Sequence, residues 1–159
     1  MKYYFDSKNE QEALVKEALS WVGTPFILNS RVKGTGVSCH NLGVGIFEGL
    51  GINLNFKSPV GSGKVGDQTK LRAIASFMQD KEQFEPCDVK GELVVGDVLS
   101  FKLKSGEYHC GIYLGTVGDQ ERVVIQALKP LGVFLSSLDD PIYTDRVLGA
   151  WRLKDQKEW

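Results

Sequence analysis

Tyr108-His109-Cys110-Gly111-Ile112-Tyr113-Leu114 is the stretch on which the fold turns. In an extended chain, neighbouring side chains point to opposite faces. Tyr108, Cys110, Ile112 and Leu114 then share one face, and His109, Gly111 and Tyr113 share the other. Gly111 leaves room beside His109 for another element to come close. Upstream, residues 98–103 have strand composition, and Lys104-Ser105-Gly106-Glu107 turns the chain. Downstream, residues 115–120 form a second turn and residues 122–128 a third strand. A short fourth strand is expected at 133–135 and a fifth at 147–152. Short turns between consecutive strands imply an antiparallel meander.

The first half of the chain has a different period. Ser7 to Glu10 has the pattern of a capping box, and Leu14, Val15, Ala18, Leu19 and Val22 follow at helical spacing. This predicts a helix over residues 8–22, stopped by Gly23-Thr24-Pro25. Residues 29–36 read as a loop. A second helix begins near Cys39, with Leu42, Ile46, Phe47 and Leu50 facing a core, and its internal Gly43 and Gly45 suit close packing. Asp67 is placed to cap a third helix through Met78, and residues 82–92 look irregular. Helices first and strands afterwards is the pattern of an α+β domain.

Bulk properties narrow the function. The chain has 159 residues, 42% hydrophobic and 25% charged, with a formal net charge of −1. That suits one domain with its own core. A near-neutral chain has no field to gather nucleic acid or an anionic membrane surface. No apolar run reaches membrane-spanning length. No signal peptide is visible at the N-terminus, so the expected setting is cytoplasmic synthesis or a phage particle. The cysteines, Cys39, Cys87 and Cys110, are odd in number and irregular in spacing, which does not suggest a disulfide framework.

Three of these residue positions could carry chemistry. Cys39 lies where a loop becomes a helix. Free amides and partial positive charge there lower a thiol's pKa and can hold an oxyanion. The same position also suits a buried core cysteine. His109 lies inside a strand, where it is either a base or a histidine on a partly exposed sheet face. Gln126 sits in the apolar run Val123-Val124-Ile125-Gln126-Ala127-Leu128. If buried it needs a partner and can orient an imidazole; otherwise it faces solvent on an edge. Cys39, His40, Cys87, His109 and Cys110 lack zinc-ligand spacing, and His109 and Cys110 diverge on their strand. No metal or other cofactor is expected. Gly61-Ser62-Gly63-Lys64 lacks the full spacing of a phosphate loop.

The order of motifs is also informative. Trp21-Val22-Gly23-Thr24-Pro25-Phe26 precedes Gly36-Val37-Ser38-Cys39-His40-Asn41-Leu42. Gly96-Asp97-Val98-Leu99, His109-Cys110-Gly111-Ile112-Tyr113-Leu114-Gly115, Val124-Ile125-Gln126-Ala127 and Gly132-Val133 follow. From about Trp21 to Trp151, this resembles the NlpC-type family of papain-like cysteine peptidases, many of which cleave cell-wall peptides. The compact size and tryptophan-containing end resemble its phage-tail-associated branch.

The resemblance implies one papain-like domain over 1–159, with the nucleophile helix packed on an antiparallel sheet of five or more strands. It assigns catalysis to Cys39, His109 and Gln126, and contact with substrate to Phe26, Ser38 and His40. It implies a peptide or peptidoglycan-fragment substrate and, for the phage branch, tail or prophage proteins as partners. Ser38 replaces the family's usual Asp, and His40-Asn41 its Ser-Gly. Phe26 stands where a tyrosine is common, and Gln126 where a third histidine is usual. His40 is expected on the exposed side of its helix. Three functions fit: amide hydrolysis through a thioester, a binding or assembly module that has kept the fold, and a thiol acyltransferase.

Overall fold

The change of period in the sequence becomes a change of layer in the molecule. The computed structural model describes residues 2–55, 82–106 and 108–156. Helix α1 (Lys8–Leu19) starts where the Ser7 hydroxyl accepts from the Glu10 amide, and it buries Leu14 and Ala18. It ends three residues before the expected Val22. The Trp21 and Val22 amides instead bond carbonyls three residues back, a tightened last turn leading to Gly23 at φ +89°. The expected loop at 29–36 contains a small hairpin, β1 (Arg31–Val32) and β2 (Gly36–Val37). Helix α2 (Cys39–Gly49) follows directly. The expected third helix and the Gly61–Lys64 loop lie outside the described residues.

The second half forms β3 (Phe84–Cys87), β4 (Val98–Lys102), β5 (Tyr108–Val117), β6 (Gln120–Leu128), β7 (Gly132–Ser137) and β8 (Val147–Leu153). These make one six-stranded sheet in the order β3-β8-β4-β5-β6-β7, antiparallel throughout. β3 corrects the expectation of an irregular segment. Pro86 hides the strand signal, and Pro86 is tolerated because β3 lies at the sheet's edge. β5 and β6 extend into the expected 115–120 turn, leaving Gly118-Asp119 between them, with Gly118 at φ +59°. A short 3-10 turn, Pro141–Tyr143, precedes β8. It is held where the Asp140 carboxylate accepts from the Ile142 amide.

Period-two alternation sorts the strand residues between two cores. Ile112, Leu114, Ile125 and Ala127 meet Leu14, Leu42, Ile46 and Phe47 of the helices in the larger core. Leu99, Phe101, Val124 and Ala150 face the opposite side and pack with Leu138 and Tyr143. Trp21 lies on α2 at Gly45, where a Cβ would come within 2.7 Å of its ring. At the other edge of the sheet, β7 is covered by the Gly23–Thr24 segment. The Gly23 amide donates to the Val133 carbonyl at 3.0 Å, and the Val133 amide to the Thr24 carbonyl at 2.9 Å.

Candidate active site

Two short elements place Cys39. Val37 in β2 bridges Phe26, and Ser38 in extended conformation (φ −94°, ψ 168°) starts α2. The first intrahelical bond runs from the Leu42 amide to the Ser38 carbonyl, 2.9 Å. The Cys39 amide therefore precedes the hydrogen-bonded ladder, at the helix's positive end. The Ser38 hydroxyl does not cap this end. It is held by the Asn41 side-chain amide at 3.1 Å and by His40 Nε2 at 3.3 Å. Asn41 Oδ1 in turn accepts from Arg31 at 2.8 Å, and Arg31 pairs with Glu48 at 3.3 Å.

His109 and Gln126 approach from the sheet. The β5–β6 ladder starts at Ile112↔Ile125, and neither His109 nor Gln126 is among its paired residues. Gly111 makes the approach of the two strands possible: a Cβ there would lie 2.8 Å from the Ile125 carbonyl oxygen. His109 Nε2 and Gln126 Oε1 are 2.7 Å apart, both residues being buried. A side-chain oxygen of an amide only accepts, so His109 carries its proton on Nε2 and leaves Nδ1 as a base. The amide's orientation is fixed from behind. Its Nε2 donates to the Tyr143 hydroxyl at 2.6 Å and to the Ser136 hydroxyl. Phe101 lies between the Tyr143 and His109 rings, with centroids 5.5 and 6.1 Å away.

Cys39 completes the group, and its thiol is held well below its ordinary value. Hydrogen bonding from Cys110 is the largest cause, followed by His109 and His40, together outweighing burial. Alternation does put His109 and Cys110 on opposite faces of β5, yet both lower this thiol's pKa, and Cys110 packs against Cys39. Cys110 also donates to the Cys39 carbonyl at 3.4 Å, while the Cys39 sulfur beside it, and then burial, push its own thiol up. Cys39 is only 3% exposed, and a cavity of about 10 Å3 adjoins it, lined by Leu42, Gly43, Cys110 and Gly111 among others. That is room for about one water molecule. Among the described residues no group of three or more His, Cys, Asp or Glu side chains is arranged to hold a metal ion.

Of the positions singled out in the sequence, Cys39, His109, Gln126, Ser38 and His40 come together. Phe26 contributes its backbone through the Val37 bridge, and its half-buried ring faces Lys129, whose Nζ is 5.5 Å from the centroid. His40 is fully buried, a correction to the expected exposed position. Helix α2 has neighbours on both sides, and every residue from Cys39 to Phe47 is buried, so it has no solvent face there. Sequence reasoning missed Tyr143, Ser136, Asn41, Arg31 and the contact of Cys110. The one available signal was Cys110 itself, adjacent to His109 in the sequence.

Comparison with known proteins follows the same outline. The model of the NlpC/P60 family matches residues 23–152, which include every residue of the cluster. The chain belongs to the NlpC/P60 family. NlpC/P60 proteins are generally cysteine hydrolases. Among solved structures, the fold is similar to that of a lipoprotein-like NLP/P60 protein from Staphylococcus aureus, at a TM-score of 0.64 and 18% identity. The alignment covers 97% of this chain and 44% of that one, so this NlpC/P60 chain spans less than half of that protein. A comparison with curated proteins gives no match.

Proposed function

We propose that the chain hydrolyses an amide bond in cell-wall peptides through Cys39, His109 and Gln126. The observation that carries this reading is the 2.7 Å contact between His109 Nε2 and Gln126 Oε1, beside a Cys39 thiol that His109 helps to hold below its ordinary value. His109 Nδ1 accepts the Cys39 proton, and the thiolate attacks the substrate carbonyl. The Cys39 amide, at the uncapped start of α2, donates to the oxyanion. As the C–N bond breaks, the imidazolium returns a proton to the leaving amine and a thioester remains. Water then attacks the thioester with His109 as base, releasing the acid and restoring the thiol. Gln126 Oε1 accepts a hydrogen bond from His109 Nε2–H throughout and so holds the ring's tautomer.

Ser38 and His40 shape the entrance to α2, where the Ser38 hydroxyl and His40 Nε2 lie 3.3 Å apart. Phe26 has no hydroxyl to offer the oxyanion, and loss of one such donor costs on the order of a hundredfold in rate. The expected result is release of a new amino terminus from a wall-derived peptide, abolished in Cys39→Ala. Iodoacetamide should also alkylate Cys39 faster than a model thiol near neutral pH. Alkylation at the model-thiol rate would remove the activated nucleophile from this reading.

The near-complete covering of Cys39 favours a second reading: a module that binds wall peptides, or assembles with phage or prophage proteins, without turnover. It predicts peptide binding with no product. Cys39-dependent cleavage would exclude it.

A further inference from the structure

Hydrolysis does not use the second sulfur at the site. Cys110 is buried beside His109 on β5, its S–H 3.4 Å from the Cys39 carbonyl. Cys39 and Cys110 form a cluster of their own, capped by Tyr108, and they line the same cavity. Cys87 is elsewhere, on β3, with its S–H turned 3.8 Å from the Asp97 carboxylate.

We propose that Cys39 and Cys110 are a peroxide-responsive pair that closes into an intramolecular disulfide and withdraws the nucleophile. The proposal concerns regulation of the site described above. It depends on the hydrolytic reading for its consequence, but not for its chemistry.

The steps balance with hydrogen peroxide as the oxidant. The Cys39 thiolate attacks one peroxide oxygen. An S–O bond forms, the O–O bond breaks, and the departing hydroxide takes a proton to become water. Cys39 is then a sulfenic acid, oxidised by two electrons. The Cys110 sulfur attacks Cys39, an S–S bond forms, and the S–O bond breaks. The hydroxide leaves with the Cys110 proton as a second water. Forming the sulfenic acid also removes the negative sulfur that helped hold the Cys110 thiol protonated. The first step thus prepares the second. A thiol reductant reverses the bond.

The test treats the full chain with peroxide, blocks remaining thiols with iodoacetamide, and maps the products by mass spectrometry. The expected product has lost two hydrogens, is alkylated only at Cys87, and regains two alkylatable thiols with dithiothreitol. Three products would overturn the proposal: sulfinic acid on Cys39 with Cys110 free, a disulfide between two chains, or Cys39 unchanged under peroxide that oxidises free cysteine. In Cys110→Val, Cys39 should pass to the sulfinic acid, and dithiothreitol should no longer restore its alkylation. Full recovery in that variant would count equally against the pair. If the variant does not fold, the map of the unsubstituted chain decides alone. None of these readouts uses a peptide substrate. A chain that forms the bond but cleaves nothing keeps this inference and loses the hydrolytic one.

Discussion

Gln126 spends its whole side chain on position. One end of the amide meets His109, and the other is held by Tyr143 and Ser136. Tyr143→Phe removes one of those anchors while keeping the aromatic packing on Phe101, and its direct cost should be about 1–2 kcal/mol. The more telling effect is on Cys39. Because its pKa lies below that of a free thiol, Cys39 alkylation should reach its plateau at lower pH than free cysteine, and fall as acid protonates the thiolate. His109→Ala should move that plateau toward alkaline pH, and Tyr143→Phe should move it part of the way, both measured as alkylation rate against pH. An unchanged profile in Tyr143→Phe would reduce Tyr143 to packing. Gln126→Ala should lower turnover on the order of a hundredfold, the usual scale of a positioned base. Cys39, His109 and Gln126 were legible because residue type and order along the chain carry them. Tyr143 and Ser136 were not, since nothing in their local sequence marks the long-range contact each makes with the amide.

At the scale of elements, the β5–β6 ladder and Gly111 decide how close the two strands come. Gly111→Ala would press a Cβ onto the Ile125 carbonyl, 2.8 Å away, and onto Val124 at 2.7 Å. The backbone must yield, so the variant should lose about 1–3 kcal/mol in urea unfolding and alkylate Cys39 more slowly. Loss of stability without slower alkylation would uncouple the strands' spacing from the thiol. The strands around Gly111 were visible in the sequence, because period-two alternation survives wherever a face is buried. β3 was concealed by Pro86, and β1–β2 is too short to show a period. The burial of His40 was hidden for a related reason. Helical periodicity identifies a buried face only where another face meets water, and α2 has none from Cys39 to Phe47.

Across the whole molecule, the entry to β4 is fastened to β8. Asp97 is buried and receives Arg152 through two contacts of 2.8 Å, while its Oδ2 also accepts from the Val94 amide at 2.8 Å. Asp97→Ala would leave the guanidinium without its counter-charge and an amide without its acceptor. It should cost about 3–5 kcal/mol, read as a lower urea midpoint. A midpoint within error of the parent's would show that the pair contributes little. The Gly96-Asp97 motif was prominent in the sequence, but the sequence did not show that Arg152 is its partner. The two margins of the sheet carry a different consequence. Along β3 a proline removes a donor from the row, and along β7 the Gly23–Thr24 segment already takes both bonds of Val133. Fibril growth needs an uninterrupted border on which a foreign strand can register. Among the described residues neither flank offers one, so concentrated solutions should resist strand-by-strand aggregation while the Gly23–Thr24 segment stays in place.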